Sequence, residues 1–277
     1  MNKIKKEIDE EFPQIFEIII LQSLNKTEKQ TGKILYSEII KYKTYQEEVI
    51  SRSLIDVSNK KEFFSEIKKI EERIIKEKLF PILHIEAHGS EEGISLSNKD
   101  LINWSDFFNK TRKINILLKN SLIIHLALCK GISSITGIDP FERAPFRAII
   151  GTTKDLNPNK LLNAYELYYD NFFFSFSGDE AVNSVNANIK DANFVYLRAE
   201  DFIKEFTNTN RDPVFFKRLI NNYAVKEKAT KEEFKNTDFK EAFNYSKEII
   251  DKIFSDIKDK SDYFLMKDMI KTKHNNK

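Results

Sequence analysis

A chain of 277 residues with 41% hydrophobic and 32% charged residues is globular in composition, which excludes a disordered polymer. Lys and Arg number 45 against 43 Asp and Glu, an even balance that makes no case for nucleic-acid binding. A single cysteine excludes an internal disulfide and a Cys-based zinc site but not a catalytic thiol, and 7 Gly with 6 Pro argue against a turn-rich β-sandwich. No apolar run approaches the roughly 18 residues of a membrane span. The N-terminal MNKIKKEIDEEF turns acidic before any apolar stretch, unlike a signal peptide. The expectation is a soluble, cytoplasmic protein of a reducing compartment, without nucleic-acid or membrane partners.

Phe16–Leu24 is a compact Ile-rich run, and Gly32–Tyr42 carries Ile34, Leu35, Ile39 and Ile40 at helical spacing. Glu48–Val57 alternates partway as a strand does, and Lys60–Lys78 is a charged amphipathic helix with Phe63, Phe64, Ile67, Ile70 and Ile74 on one side. Phe80–Ala87 predicts a strand ending at His88-Gly89, with a short strand pair following around Gly93–Leu96. Leu101–Leu118 reads as mostly helical, Ser121–Leu128 as a strand ending at Cys129, and Phe146–Thr152 as another strand. An aromatic-rich helix over Leu161–Phe174 and a last strand or connector at Phe194–Leu197 complete the pattern. Strands separated by crossover-length helices predict an α/β fold, a mostly parallel sheet with helices on both faces. From Val214 the pattern is helical and charged, with 15 basic and 11 acidic residues, and predicts a C-terminal helical extension. The division expected is a sheet domain over 1–213 and the extension over 214–277.

In an open parallel sheet, chemistry collects at the carboxyl ends of the strands. His88 and Cys129 each close such a strand, and each is near a glycine, Gly89 and Gly131. A thiol needs a nearby base to act as a nucleophile at neutral pH, and imidazole is the usual one. Adjacent parallel strands would bring the two within reach, being about 5 Å apart. Gly89 lets its backbone approach closely or take an unusual φ, which suits a backbone N–H aimed at an oxyanion, and Gly131 relaxes the turn after the thiol. Taken singly, a buried Cys and a satisfied core His are the ordinary readings. Their pairing at two glycine-flanked strand ends favours chemistry.

Other signals are weaker. His84 and His88 are spaced H-x-x-x-H, but on a strand four residues span about 13 Å and cannot hold one ion. No metal and no cofactor are expected. Glu86 shares a face with His84 and His88 and could orient a histidine, although a buried carboxylate satisfied by neighbours is the ordinary reading. His125 lies too far back on its own strand to serve Cys129. Asn157-Pro158 is a natural turn and helix start. Phe172, Phe173, Phe174 and Phe176 read as core or as a partner contact.

The segment Ala127-Leu128-Cys129-Lys130-Gly131, with a His upstream, resembles the caspase signature Gln-Ala-Cys-x-Gly. The match is nearer to the CHAT branch of caspase-like cysteine peptidases, carried by Leu83-His84-Ile85-Glu86-Ala87-His88-Gly89-Ser90, Ala127-Leu128-Cys129, Ala144-Pro145, Ile149-Ile150-Gly151-Thr152, and the helix with Tyr165, Tyr168 and Tyr169 followed by Ala181-Val182. It covers roughly residues 80–187. The resemblance implies a cysteine endopeptidase with His88 and Cys129 catalytic and the backbone N–H groups of Gly89 and Cys129 as the oxyanion site. It implies a protein substrate, no metal, and a substrate pocket framed by Ala127 and by Thr152 to Asp155. Relatives carry Gln or Asp where Ala127 stands, and a Trp and an acidic pair where Lys154, Asn157 and Pro158 stand, so their residue preference does not transfer. Asp155, the carboxylate of that loop, would favour Lys or Arg before the scissile bond, whereas Lys154 beside it would neutralise that charge or invite an acidic residue. The expectation leans to a basic or uncharged residue. The short 130–145 segment predicts an uncut chain, switched by an activating or sensor protein or a ligand, in a bacterial stress or antiphage defence setting. An idle CHAT-like binding scaffold and a thiol acyl transferase are the alternatives.

Overall fold

The computed structural model describes residues 15–45, 50–207, 252 and 255–271. The predicted α/β sheet is observed. β1 (Ile15–Gln22), β2 (Ile50–Asp56), β3 (Leu79–Glu86), β7 (Ile123–Ala127), β8 (Ala148–Thr152) and β9 (Phe194–Arg198) form one sheet in the order β2-β1-β3-β7-β8-β9. All neighbours are parallel except β9, which runs antiparallel to β8. A second, small antiparallel sheet, β4 (His88–Gly89), β5 (Gly93–Ser95) and β6 (Leu101–Asn103), leaves the end of β3 directly.

The period-2 alternation sorts side chains onto two faces. One face carries Ile18, Ile20, Ile82, Ala127 and Ile150. It packs on α1 (Thr31–Leu35), a π turn over Tyr36–Ile40, α5 (Pro158–Ser175) and α6 (Gly178–Asn188), with Leu35, Ile40, Tyr165, Tyr168, Tyr169 and Val182 in one core. α2 (Lys41–Tyr45) continues the π turn. The opposite face presents buried Ile19, Leu21, Leu83, Ile85 and Leu126. α3 (Lys60–Glu77) covers it, buries Phe63, Ile67, Ile70 and Ile74, and packs on α4 (Trp104–Leu117). Its Arg73 donates to Glu17 of β1 at 2.7 Å, fixing the face on which it lies. Helices therefore cover both faces.

Local signals set the boundaries. Asn59 caps α3 by accepting from the Glu62 N–H, and Asn157 caps α5 by accepting from the Lys160 N–H, with Pro158 in the first turn. Leu101–Asn103 is a strand rather than the start of a helix: it pairs with β5, and the Asn103 side chain caps α4 from Trp104 on. Phe172 is buried, whereas Phe174 is 90% exposed.

The described residues divide into two compact units, those within 15–138 and 144–199, and those within 139–143, 200–207 and 252–271. The first holds the sheet. In the second, α8 (Ser261–Phe264) and α9 (Lys267–Lys271) accompany the 139–143 segment, where both guanidinium nitrogens of Arg143 bond the Asp268 carboxylate. α7 (Ala199–Thr207) begins at the junction between the units. The expected division at 213 lies outside the described residues. The residues that predicted the extension, Phe215, Phe216, Leu219, Ile220, Ile249, Ile250, Ile253 and Phe254, lie outside the described residues.

Candidate active site

The chain order reverses at β1: β2 lies on one side of it and β3 on the other. The crevice at such a switch point opens beyond the carboxyl ends of the flanking strands. There a cleft of about 180 Å³ is lined by Glu28, Glu86, His88, Ala127, Cys129 and Leu156, with Leu24, Leu128 and Leu161 among its apolar walls.

Strand register brings His88 and Cys129 to the same cleft. Glu86 of β3 faces Ala127 of β7, and His88 and Cys129, each two residues further on, both line it. Gly89 tightens this approach. A Cβ there would stand 2.3 Å from the Cys129 carbonyl oxygen and 2.4 Å from Leu128 Cδ1, so only glycine lets β4 run against the Cys129 backbone. The expectation of an unusual φ at Gly89 or Gly131 is corrected, since neither has a positive φ. The left-handed residue is Lys130, at φ 54°. Gly131 serves close packing instead, its virtual Cβ lying 2.9 Å from Leu126 Cβ.

Cys129 is half-buried, and its thiol lies 3.5 Å from the Leu156 carbonyl oxygen, which accepts the S–H. His88 is half-exposed and its Nε2 sits 2.9 Å from Glu28 Oε1. Glu28 also accepts from the Asn25 N–H at 2.7 Å. Burial pushes its carboxyl up, but the Asn25 amide and the His88 ring outweigh this and hold it below its ordinary value. The acid that touches His88 is thus Glu28, which no sequence signal marks: it sits in a polar loop without periodicity.

Glu86 does not reach His88. It is buried, accepts from the Thr31 hydroxyl at 2.7 Å, and lies 3.5 Å from His84 Nε2. His84 and His125 are register partners on β3 and β7, and the Tyr169 hydroxyl bridges their Nδ1 atoms at 3.0 and 2.8 Å. Burial, and then the neighbouring His84, hold the His125 imidazolium form down, so this ring is neutral. One proton arrangement satisfies the chain: His125 Nδ1–H donates to Tyr169, the Tyr169 O–H donates to His84 Nδ1, and His84 Nε2–H faces Glu86. It leaves a bare lone pair at His125 Nε2, which has no hydrogen-bond partner. No cluster of three metal-ligating side chains occurs among the described residues.

Of the sequence-predicted pocket residues, Ala127 lines the cleft with His88 and Cys129, and Thr152 and Asp155 do not. Thr152 is buried in β8, where its hydroxyl donates to the Ala192 carbonyl at 2.6 Å and accepts from the Lys154 N–H. Asp155 is exposed and faces the Lys130 ammonium at 3.6 Å. The same loop contributes Leu156 instead. Among the described residues no helix is long and apolar enough to cross a membrane.

No family model matches the chain, and no curated protein does. Among solved structures it is similar to the Drosophila initiator caspase Dronc, over 66% of this chain and 79% of that one, with a TM-score of 0.44 and 9% identity. A likeness that distant leaves the functional argument to the geometry of the site and the residues that form it.

Proposed function

We propose that this protein is a cysteine endopeptidase of the caspase-like CHAT type. The observation that carries the reading is the β3–β7 register, which brings His88 and Cys129 to one cleft at the strand ends next to the β1/β3 switch point, with Gly89 pressed against the Cys129 backbone. His88 takes the thiol proton, with its imidazolium facing Glu28. The Cys129 sulfur attacks the peptide carbonyl carbon and forms a C–S bond. The backbone N–H groups of Gly89 and Cys129 hold the oxyanion. His88 returns the proton to the amine as the C–N bond breaks, and water then resolves the thioester to the acid and the free thiol. No metal or cofactor enters these steps.

The hydrogen bond from Cys129 to the Leu156 carbonyl supports a resting state that must open before the thiol reacts. A partner or ligand that shifts the 153–157 loop would release it. An activating sensor, a cytoplasmic location and a stress or antiphage defence setting complete the reading by the sequence resemblance.

The test is cleavage of a peptide library by wild type, Cys129→Ala and His88→Ala, with and without candidate partners. Each substitution is expected to lower cleavage by orders of magnitude, the scale on which nucleophile–base pairs act. A Cys129 thiol no more reactive than free cysteine in the active preparation would overturn the reading. Cleavage persisting in Cys129→Ala would do the same.

A further inference from the structure

We infer that the cleft beside Cys129 receives the lysine or arginine side chain that precedes the scissile bond, with the Glu86 carboxylate as its partner. This rests on the peptidase reading of the same site. Glu86 is only 2% exposed and yet lines the cleft that holds His88 and Cys129. Its hydrogen-bonding neighbours are the neutral Thr31 hydroxyl and, at 3.5 Å, His84. Among the described residues no Lys or Arg pairs with it. Desolvating a carboxylate without a cation is costly, and a cation delivered into the cleft offsets that cost. Apart from His84, which pairs with it as an ion only when protonated, the described residues offer this buried carboxylate no cation, and a basic side chain entering the cleft would supply one.

The surroundings fit the rest of such a side chain. Ala127 lies directly opposite Glu86 in the register, lines the same cleft and fills only a methyl's worth of it. Leu24, Leu156 and Leu161 line the walls, apolar surface suited to the methylenes of Lys or Arg. Glu28, the partner of His88, lines the same cleft and adds a second carboxylate to it. Lys29, the basic residue of the rim, has its ammonium 2.6 Å from Asn159 Oδ1. An acidic side chain would meet Glu86 and Glu28 and be repelled. The charge that selects the substrate thus comes from β3, not from Asp155.

The experiment follows Cys129 adducts by intact mass. The probes are peptidyl acyloxymethyl ketones that differ only in the residue next to the reactive group, Arg, Lys, Leu or Asp, with iodoacetamide as the sequence-blind reagent. Arg and Lys probes are expected to label at least about tenfold faster than the Leu probe, and the Asp probe slowest, the scale of one charge-assisted hydrogen bond. In Glu86→Gln, which keeps an acceptor for Thr31, the Arg and Lys rates should fall to that of Leu. On wild type, agmatine should slow iodoacetamide labelling and pentanol should not, an arm that decides the matter if the variant does not fold. Leu or Asp probes labelling as fast as Arg, or a preference that survives in Glu86→Gln, overturns the assignment while leaving the peptidase reading intact. If no peptidyl probe outpaces iodoacetamide, the peptidase reading itself fails, and the assignment with it.

Discussion

His88 is the residue whose surroundings matter most, because its imidazole is half-exposed and one carboxylate, Glu28, touches it. On the proposed reading Glu28 is a positioning residue, acting on the thiol through the ring it touches. Replacing it by Gln keeps an acceptor and removes the charge that favours an imidazolium beside a thiolate. The pH–rate profile of Cys129 alkylation is expected to move to higher pH in Glu28→Gln, with labelling near neutral pH down by roughly tenfold, the scale of a charge-assisted hydrogen bond. Glu28→Asp should recover part of it. A purely structural role for Glu28 would lower stability and leave the profile in place. The sign of its effect on folding follows from its depressed acidity. The carboxylate stabilises the fold above its ordinary value of 4.5, and this contribution is lost as pH falls through the lower folded value.

The helices hold the sheet whose strand ends define the cleft, and α3 does so with an ion pair as well as an apolar stripe. Glu17 on β1 is buried under α3, where it takes two hydrogen bonds from Arg73 and one from the Ser53 hydroxyl. Arg73→Ala would leave that carboxylate without its cation. The expected loss is roughly 2 kcal/mol, less than the 3–5 of a fully buried pair because Arg73 is a third exposed. A urea midpoint measured on the two proteins checks it, and an unchanged midpoint would show Glu17 to be satisfied by other groups. At this scale the alternation and helical spacing were legible, since each reports which face is buried. The Leu101–Asn103 strand was not, because its three residues carry too short a pattern to separate from the helix that follows.

At the scale of the molecule, the segment between Cys129 and β8 is divided. Gly131–Gly137 is a 3₁₀ helix in the sheet unit. Residues 139–143 belong to the second unit, in which the Arg143 guanidinium lies 4.2 Å over the Tyr263 ring and pairs with Asp268. That pair holds the Asp268 carboxyl below its ordinary value and raises Arg143 further. A peptidase needs an extended, free stretch of chain at the bond it cuts, and neither half of this segment supplies one. Purified protein is therefore expected to keep a single mass on prolonged incubation, and its activity to survive EDTA and be abolished by thiol alkylation. Cleavage inside 130–145 accompanied by a rise in activity would overturn this expectation of an uncut chain, as a strict need for a divalent ion would overturn metal independence.

The sequence by itself determined the α/β class, the order of the main strands and helices, and the placing of His88 and Cys129 at neighbouring strand ends. These follow from local patterns: periodicity marks the buried face, and a residue at the end of a strand stays at that end whatever the packing. Tertiary structure decided what surrounds the pair. Glu28 reaches His88 from a loop 60 residues away, Glu86 enters the cleft from the strand that precedes His88, and Asp155 turns out to Lys130. Loop side chains are directed by contacts between segments distant in sequence, so no periodicity records them. The left-handed turn fell on Lys130 rather than on a glycine for the same reason. At Gly89, where β4 closes against Cys129, the absence of a Cβ matters for space and not for φ.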